Sequence, residues 1–192
     1  PDVMKKGALG TLSERELPEA DFPYVQVESS LQALKDIAEF YLQQVGIPVV
    51  GVTGSVGKTS TKEVIAAVLK EKYQVLKTQG NFNNEIGLPL TIFRITPEDE
   101  IAVLEMGINH FGEMTRLAKI ARPDTCVITN IGPCHLEFLG DRDGVLKAKT
   151  EIFQYMKETG SIILNGDDDK LATVGTPGGI QPVFCGLEDG KQ

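Results

Sequence analysis

A chain of 192 residues and 20.9 kDa holds one substantial domain of about 100 to 200 residues with a small appendage, which excludes a second full domain. With 41% hydrophobic and 24% charged residues it has the makings of a core, and disordered, collagenous and disulfide-scaffold classes are excluded. A formal net charge of −8 excludes general binding to nucleic acid or to an anionic membrane surface, so any anionic ligand has to be met by a local device.

The chain opens Pro1-Asp2-Val3, with neither an initiator Met nor the basic-then-apolar pattern of a signal peptide, as expected of a processed or partial chain. Residues 1–28 carry two short β-like runs, 8–12 and 24–27, around a polar stretch punctuated by proline, and read as the edge of another domain. From Ser29 or Ser30 as N-cap, apolar residues recur at Leu31, Leu34, Ile37, Ala38, Tyr41, Leu42 and Val45, with Gly46 as the stop. This spacing predicts an amphipathic connector helix over 29–45.

From residue 46 onward, apolar runs of strand length alternate with helical periodicity. Strands are predicted at 47–53, 73–78, 101–106, 125–131, 161–165 and 182–185, and helices at 58–71, 88–95, 112–121 and 144–156. The runs 49–52 and 126–128 are continuously apolar, as expected of a mainly parallel sheet covered by helices on both faces, and the fold class is α/β. Ligands of such sheets gather at the carboxyl ends of the strands, so the residues that follow each strand carry the functional reading. The longest uncharged stretch, 40–57, contains Gln43, Gln44, Pro48 and four glycines, which is no transmembrane helix. Cys126, Cys134 and Cys185 are odd in number and lack CxxC spacing; they read as reduced thiols of a cytoplasmic protein.

The first predicted strand of the sheet runs into Gly51-Val52-Thr53-Gly54-Ser55-Val56-Gly57-Lys58-Thr59-Ser60, followed by helical periodicity at Val64, Ile65, Val68 and Leu69. Strand, glycine loop, Gly-Lys-Thr and helix stand in the order a P-loop requires. Glycines let backbone N–H groups turn around phosphate oxygens, the helix N-terminus adds its positive end, Lys58 a point charge and Thr59 a hydroxyl for Mg²⁺. One departure is visible: the common spacing puts its first glycine at position 52, which is valine here.

Four further positions stand out. Glu105 closes the run 101–104 and suits a hard cation, although a solvated strand-end carboxylate gives the same pattern. His135 follows the strand predicted at 125–131 and His110 opens a helix; either is a ligand or an ordinary loop residue. Lys149 falls in the middle of the apolar face formed by Val145, Leu146, Ala148, Ile152, Phe153 and Met156, while Lys147 points away. A lysine on a buried face needs a partner, a changed charge state, or a stem that snorkels to water.

The segments Thr53-Gly-Ser-Val-Gly-Lys-Thr59, Gly80-Asn-Phe-Asn-Asn-Glu-Ile-Gly-Leu-Pro89, Glu105-Met-Gly-Ile-Asn-His-Phe-Gly-Glu113, Thr129-Asn-Ile-Gly-Pro-Cys-His-Leu-Glu137 and Lys147-Ala-Lys-Thr-Glu-Ile152 together resemble the central ATP-binding domain of the Mur ligases. The resemblance is strong over about residues 46–170 and far more specific than the P-loop alone. It implies a P-loop NTPase-like fold, ATP and Mg²⁺ as cofactors, and an amide ligase of peptidoglycan precursor synthesis that works through an acyl phosphate. Within the family, Asn-Asn-Glu-Ile-Gly and Glu-Met-Gly-Ile-Asn-His point to the member whose partners are UDP-N-acetylmuramoyl-tripeptide and D-alanyl-D-alanine.

Carried over by motif, residues Thr53, Gly54, Ser55, Val56, Gly57, Lys58, Thr59 and Ser60 would bind the nucleotide, with Lys58 on the β- and γ-phosphates and Thr59 on one Mg²⁺. Glu105 and His135 would serve a second Mg²⁺. Lys149 matches the lysine the family commonly carbamylates, a change that turns a buried cation into an anionic metal ligand. Asn83, Asn84 and Glu85 would form a loop near the γ-phosphate and the muramoyl-peptide, whereas Asn109 and His110 match a motif without an assigned role. The resemblance also implies that residues 1–28 are a remnant of a UDP-sugar-binding domain, that 46–192 is a truncated central domain, and that a C-terminal domain is absent, so this chain is expected to lack ligase turnover by itself. The competing readings are a folylpolyglutamate or cyanophycin-type ligase, and a P-loop kinase or plain nucleotide-binding module.

Overall fold

The computed structural model describes residues 2–187; Pro1 and residues 188–192, the outer ends of the two expected domain spans, lie outside the described residues. The chain begins with a short helix, α1 (Asp2–Lys5), and a two-stranded parallel pair, β1 (Thr11–Ser13) and β2 (Tyr24–Gln26). Neither strand of that pair has a buried residue. Helix α2 (Ser30–Val45) starts where Ser29 Oγ accepts from the Gln32 amide. It stops at Gly46, whose φ of +70° lets its N–H reach the Leu42 carbonyl. The inner face of α2 places Ala38 and Leu42 in the main core, so the expected connector is a packed part of this domain.

The remaining elements follow as β3 (Val49–Thr53), α3 (Lys58–Leu69), β4 (Val75–Lys77), α4 (Gly87–Ile92), β5 (Ile101–Glu105), α5 (Glu113–Ala121), β6 (Thr125–Ile128), α6 (Leu136–Leu139), α7 (Arg142–Thr150), β7 (Ser161–Asn165) and β8 (Val183–Cys185). Strands β3 to β8 form one sheet in the order β4-β5-β3-β6-β7-β8, and every neighbouring pair is parallel. All five residues of β3 are buried, which explains the continuous apolar run. A larger cluster under α2, α4, α5 and α7 includes Leu88, Ile92, Leu104, Met114, Leu117, Ile128 and Ile152. A smaller cluster under α3 joins Val50, Val52, Ala66 and Val103. The sheet is therefore covered on both faces, as its sequence requires.

Three differences from the expected elements have local causes. Strand β6 ends at Ile128, short of residue 131, because residues 129–131 leave the sheet to brace the glycine loop. The helix expected over 144–156 begins earlier, at Arg142, where Asp141 caps it by accepting from the Gly144 amide at 2.8 Å. It tightens into a 3₁₀ turn at Glu151–Tyr155, where the Glu151 side chain is engaged by α5. Helix α6 is short, begins after His135 at a left-handed φ of +52°, and has no periodicity to announce it. No helix among the described residues is long and apolar enough to cross a membrane.

Candidate active site

Strand β3 lies at the centre of the site, with β5 and β6 on either side. The loops leaving the carboxyl ends of these three strands meet around a cleft of about 410 Å³. Its lining includes Gly54, Ser55, Lys58, Asn83, Glu85, Asn109, His135 and Lys149.

The glycine loop is set by two steric facts. At Gly54 φ is +146° and a Cβ would lie 1.9 Å from Thr129 Oγ1, so position 54 is where the chain cannot carry a side chain. Position 52, by contrast, lies inside β3 and faces the small core, fully buried, so valine serves there and the departure from the common spacing is explained. Gly57, at φ +81°, caps α3 without a side-chain hydrogen bond, and a helix start leaves its first amides without partners inside the helix.

The loop is fastened to the exit of β6. The side-chain oxygen of Asn130 accepts from the amides of Ser55 and Val56 at 3.1 and 3.0 Å. Ser55 Oγ donates to the Gly132 carbonyl at 3.1 Å and accepts from the Gly132 amide at 2.9 Å and from Cys134 Sγ at 3.1 Å. Thr129 Oγ1 donates to the Val56 carbonyl at 2.6 Å, and Thr53 Oγ1 donates to the Met106 carbonyl at 2.8 Å. Thr53, Ser55 and Val56 thus have these groups committed within the protein and shape the loop. Gly57, Lys58, Thr59 and Ser60 present the helix start. Lys58 Nζ folds back over the loop, donating to the Gly54 carbonyl at 2.9 Å and the Ser55 carbonyl at 3.4 Å.

Glu105 lies beside that helix start, at 1% exposure. Its Oε2 accepts from Thr59 Oγ1 at 2.9 Å and its Oε1 from Asn83 Nδ2 at 2.8 Å, while its backbone amide donates to Thr78 Oγ1. Behind it stands Lys62 Nζ, fully buried and 3.6 Å from Glu105 Oε2. Across the cleft, Lys149 is 2% exposed, and its ammonium has no hydrogen bond or ion pair among the described residues. Burial pulls its pKa down to about 8; nearby Cys134 opposes the shift and the Lys58 charge reinforces it. His135 lines the same cleft from an exposed turn.

The loop expected to face the substrate divides its work. Asn83 reaches Glu105 and accepts, through its carbonyl, from the Gly107 amide at 2.8 Å. Asn84 Oδ1 accepts from the Ile86 and Gly87 amides and starts α4. Glu85 is held between Lys35 of α2, at 3.5 Å, and Arg116 of α5. Asn109 and His110 turn around Glu113: both amides donate to its Oε2, and His110 Nδ1 sits 3.1 Å from its Oε1. Burial alone would raise the Glu113 pKa, but these bonds outweigh it and hold the carboxyl below its usual range.

Several functional neighbours were not singled out from the sequence. Lys62 shares the inner face of α3 with Ile65, Ala66 and Leu69, so the helical-wheel test that marks Lys149 marks it too. Asn130 and Glu151 lie inside the quoted motifs, but nothing in their spacing states what they hold. Cys126 is buried and its thiol is pushed up by that burial, so it belongs to the core.

Among the described residues, no three His, Cys, Asp or Glu side chains converge to hold a metal on their own. The Thr59 hydroxyl and the Glu105 carboxylate nevertheless bring two hard oxygen donors together at the helix start. That donor set fits Mg²⁺, which takes one or two protein ligands and completes its shell with water and phosphate oxygens.

A model of the Mur ligase middle domain matches residues 52–191. The chain belongs to the Mur ligase family. This Mur ligase middle domain is 47% identical over 171 residues to the UDP-N-acetylmuramoyl-tripeptide–D-alanyl-D-alanine ligase of Bacillus subtilis, covering 88% of this chain and 37% of that protein. It is 41% identical over 168 residues to the ligase of the same name from Escherichia coli K12, again covering 88% and 37%. Among solved structures, the MurF ligase of Thermotoga maritima in complex with ADP superimposes with a TM-score of 0.87 at 38% identity, covering 97% of this chain and 43% of that one. The Mur ligase middle domain described here thus spans little more than a third of the length of those two curated relatives.

Proposed function

We propose that this chain is the nucleotide-binding part of an ATP-dependent ligase that joins D-alanyl-D-alanine to UDP-N-acetylmuramoyl-tripeptide in peptidoglycan precursor synthesis. The names borne by the relatives support the substrates, and the ADP complex of the Thermotoga maritima neighbour supports the nucleotide. The observation that carries the reading is that Lys58, Asn83 and Lys149 line one cleft, while Asn83 and Thr59 both donate to the carboxylate of Glu105 at the end of β5.

In this reading the first amides of α3 receive the phosphates, and Lys58 swings from the loop carbonyls onto the β- and γ-oxygens. Thr59, Glu105, His135 and a carbamylated Lys149 would hold Mg²⁺. Bound there, Mg²⁺ would neutralise phosphate charge and draw the substrate carboxylate towards the γ-phosphorus. Asn83 would fix the Glu105 carboxylate, and Asn130 would brace the loop through the Ser55 and Val56 amides. A carboxylate oxygen of the tripeptide attacks the γ-phosphorus and ADP leaves; the amine of D-alanyl-D-alanine then attacks the acyl carbon, loses its proton, and inorganic phosphate leaves with the electron pair. Lys149, with its pKa near 8, offers enough free amine at neutral pH to take up carbon dioxide. ATP as co-substrate and a nucleotide-carried sugar as acceptor favour a cytoplasmic site of action.

The test is phosphate release by the full-length protein from ATP and Mg²⁺. We expect release to require both UDP-N-acetylmuramoyl-tripeptide and D-alanyl-D-alanine. Release with a folate and glutamate instead, or with neither amine nor carboxylate acceptor, would reject the proposal.

A further inference from the structure

The most deeply buried charged side chain among the described residues is one the reading above does not use. Lys62 is 0% exposed, and three oxygens surround its ammonium: the Thr78 carbonyl, to which it donates at 2.8 Å, Glu63 Oε1 at 3.2 Å and Glu105 Oε2 at 3.6 Å. Glu63 is half exposed and is also bound by Lys77. Glu105 is buried and, among the described residues, pairs with no other cation. Lys62 has no exposed surface and its ammonium is enclosed by these oxygens, so it acts through what it holds.

A buried carboxylate without a counter-charge is costly, and a buried pair broken on one side leaves that cost in full. Lys62 sits one turn after Lys58 and Thr59 on the same helix. It therefore ties the phosphate-facing start of α3 to the carboxylate on β5. Its charge also opposes any second cation that Glu105 takes on, because like charges a few ångströms apart repel strongly away from water.

We propose that Lys62 is a positioning residue for Glu105: an internal counter-cation that holds the carboxylate ready in the absence of metal and weakens its grip on a divalent cation, so that the cation is bound chiefly together with the nucleotide phosphates. This rests on the nucleotide and cation reading of the cleft.

The test uses Mn²⁺ as the probe, titrated into the protein with saturating ADP and read by the electron paramagnetic resonance of free Mn²⁺, alongside thermal unfolding with and without Mn²⁺. Lys62→Met is expected to bind Mn²⁺ about tenfold more tightly or better, the order expected for removing a nearby like charge. It should unfold at a lower temperature than wild type without Mn²⁺ and recover most of that loss with it. In a Glu105→Gln background most of the gain in affinity should disappear. A purely structural lysine would lower stability equally with and without Mn²⁺ and leave the affinity alone.

Unchanged or weaker Mn²⁺ binding by folded Lys62→Met overturns the inference. Where Lys62→Met does not fold, Lys62→Gln keeps a donor for the Thr78 carbonyl and answers the same question. Failure of both variants to fold even with saturating Mn²⁺ also overturns it, since the metal should replace the missing charge. No Mn²⁺ binding by wild type with ADP would overturn the cleft reading as well, whereas intact wild-type binding without the gain removes this inference alone.

Discussion

Lys149 shows how one side chain can carry both a cost and a purpose. The residue is 2% exposed, its ammonium has no hydrogen bond or ion pair among the described residues, and its pKa is lowered to about 8 mainly by burial. The unfolded chain returns it to its ordinary value of 10.5. Between those two values the unfolded state binds more protons than the folded state, so stability rises with pH across that window and the penalty is present in full below it. Lys149→Met should therefore stabilise the fold at pH 7, on the order of 2 kcal/mol, and flatten the rise. Denaturant unfolding from pH 7 to pH 10 in buffer free of carbon dioxide measures both, and an unchanged slope in the variant would contradict the assignment. This lysine was legible because six apolar neighbours fix its face. Lys62 answers to the same test through Ile65, Ala66 and Leu69. The commitments of Thr53, Ser55 and Val56 were not legible, because their partners at Met106, Gly132 and Asn130 are set by how β3, β5 and β6 pair.

At the scale of elements, the starts of α3 and α5 are each tied to a partner distant in sequence, Glu105 and Glu151. Helix α5 begins after Gly112, at φ +78°, without a cap of its own. The carboxylate of Glu151, from the turn after α7, takes that role: it accepts from the Gly112 amide at 3.0 Å, the Thr115 amide at 3.2 Å and Thr115 Oγ1 at 2.9 Å. An anion at a helix start also meets the positive end of the helix. Glu151→Ala should cost about 1 to 2 kcal/mol of stability, measured by urea unfolding, and Glu151→Gln less. A loss below a few tenths would mean the cap is incidental. Helix existence followed from periodicity for α2, α3, α5 and α7. The early start of α7 and its passage into a 3₁₀ turn did not, because Asp141 and Glu151 act through hydrogen bonds rather than through an apolar stripe. Helix α6 was illegible for a related reason: four residues span barely one turn, too few for a period to show.

For the molecule as a whole, the order β4-β5-β3-β6-β7-β8 does the placing. Alternation of strands and helices in the sequence implied a covered parallel sheet but not which strands would be neighbours. Putting β3 between β5 and β6 brings a glycine loop, a buried carboxylate and a bracing Asn130 loop to one rim, from residues 54, 105 and 130. In the proposed reading, a chain of net charge −8 would receive an anion through local groups, the amide dipoles and Lys58 at one helix start. The family motifs were legible along the chain; their convergence on one cleft is a property of the sheet. The most direct measurement is calorimetric titration of this chain with ATP and Mg²⁺, wild type against Lys58→Ala. Saturable binding by wild type, weakened at least about tenfold in the variant, an ordinary loss for a charged contact to phosphate, is the expected result. Equal affinity in the two proteins would contradict the phosphate cradle and everything built upon it.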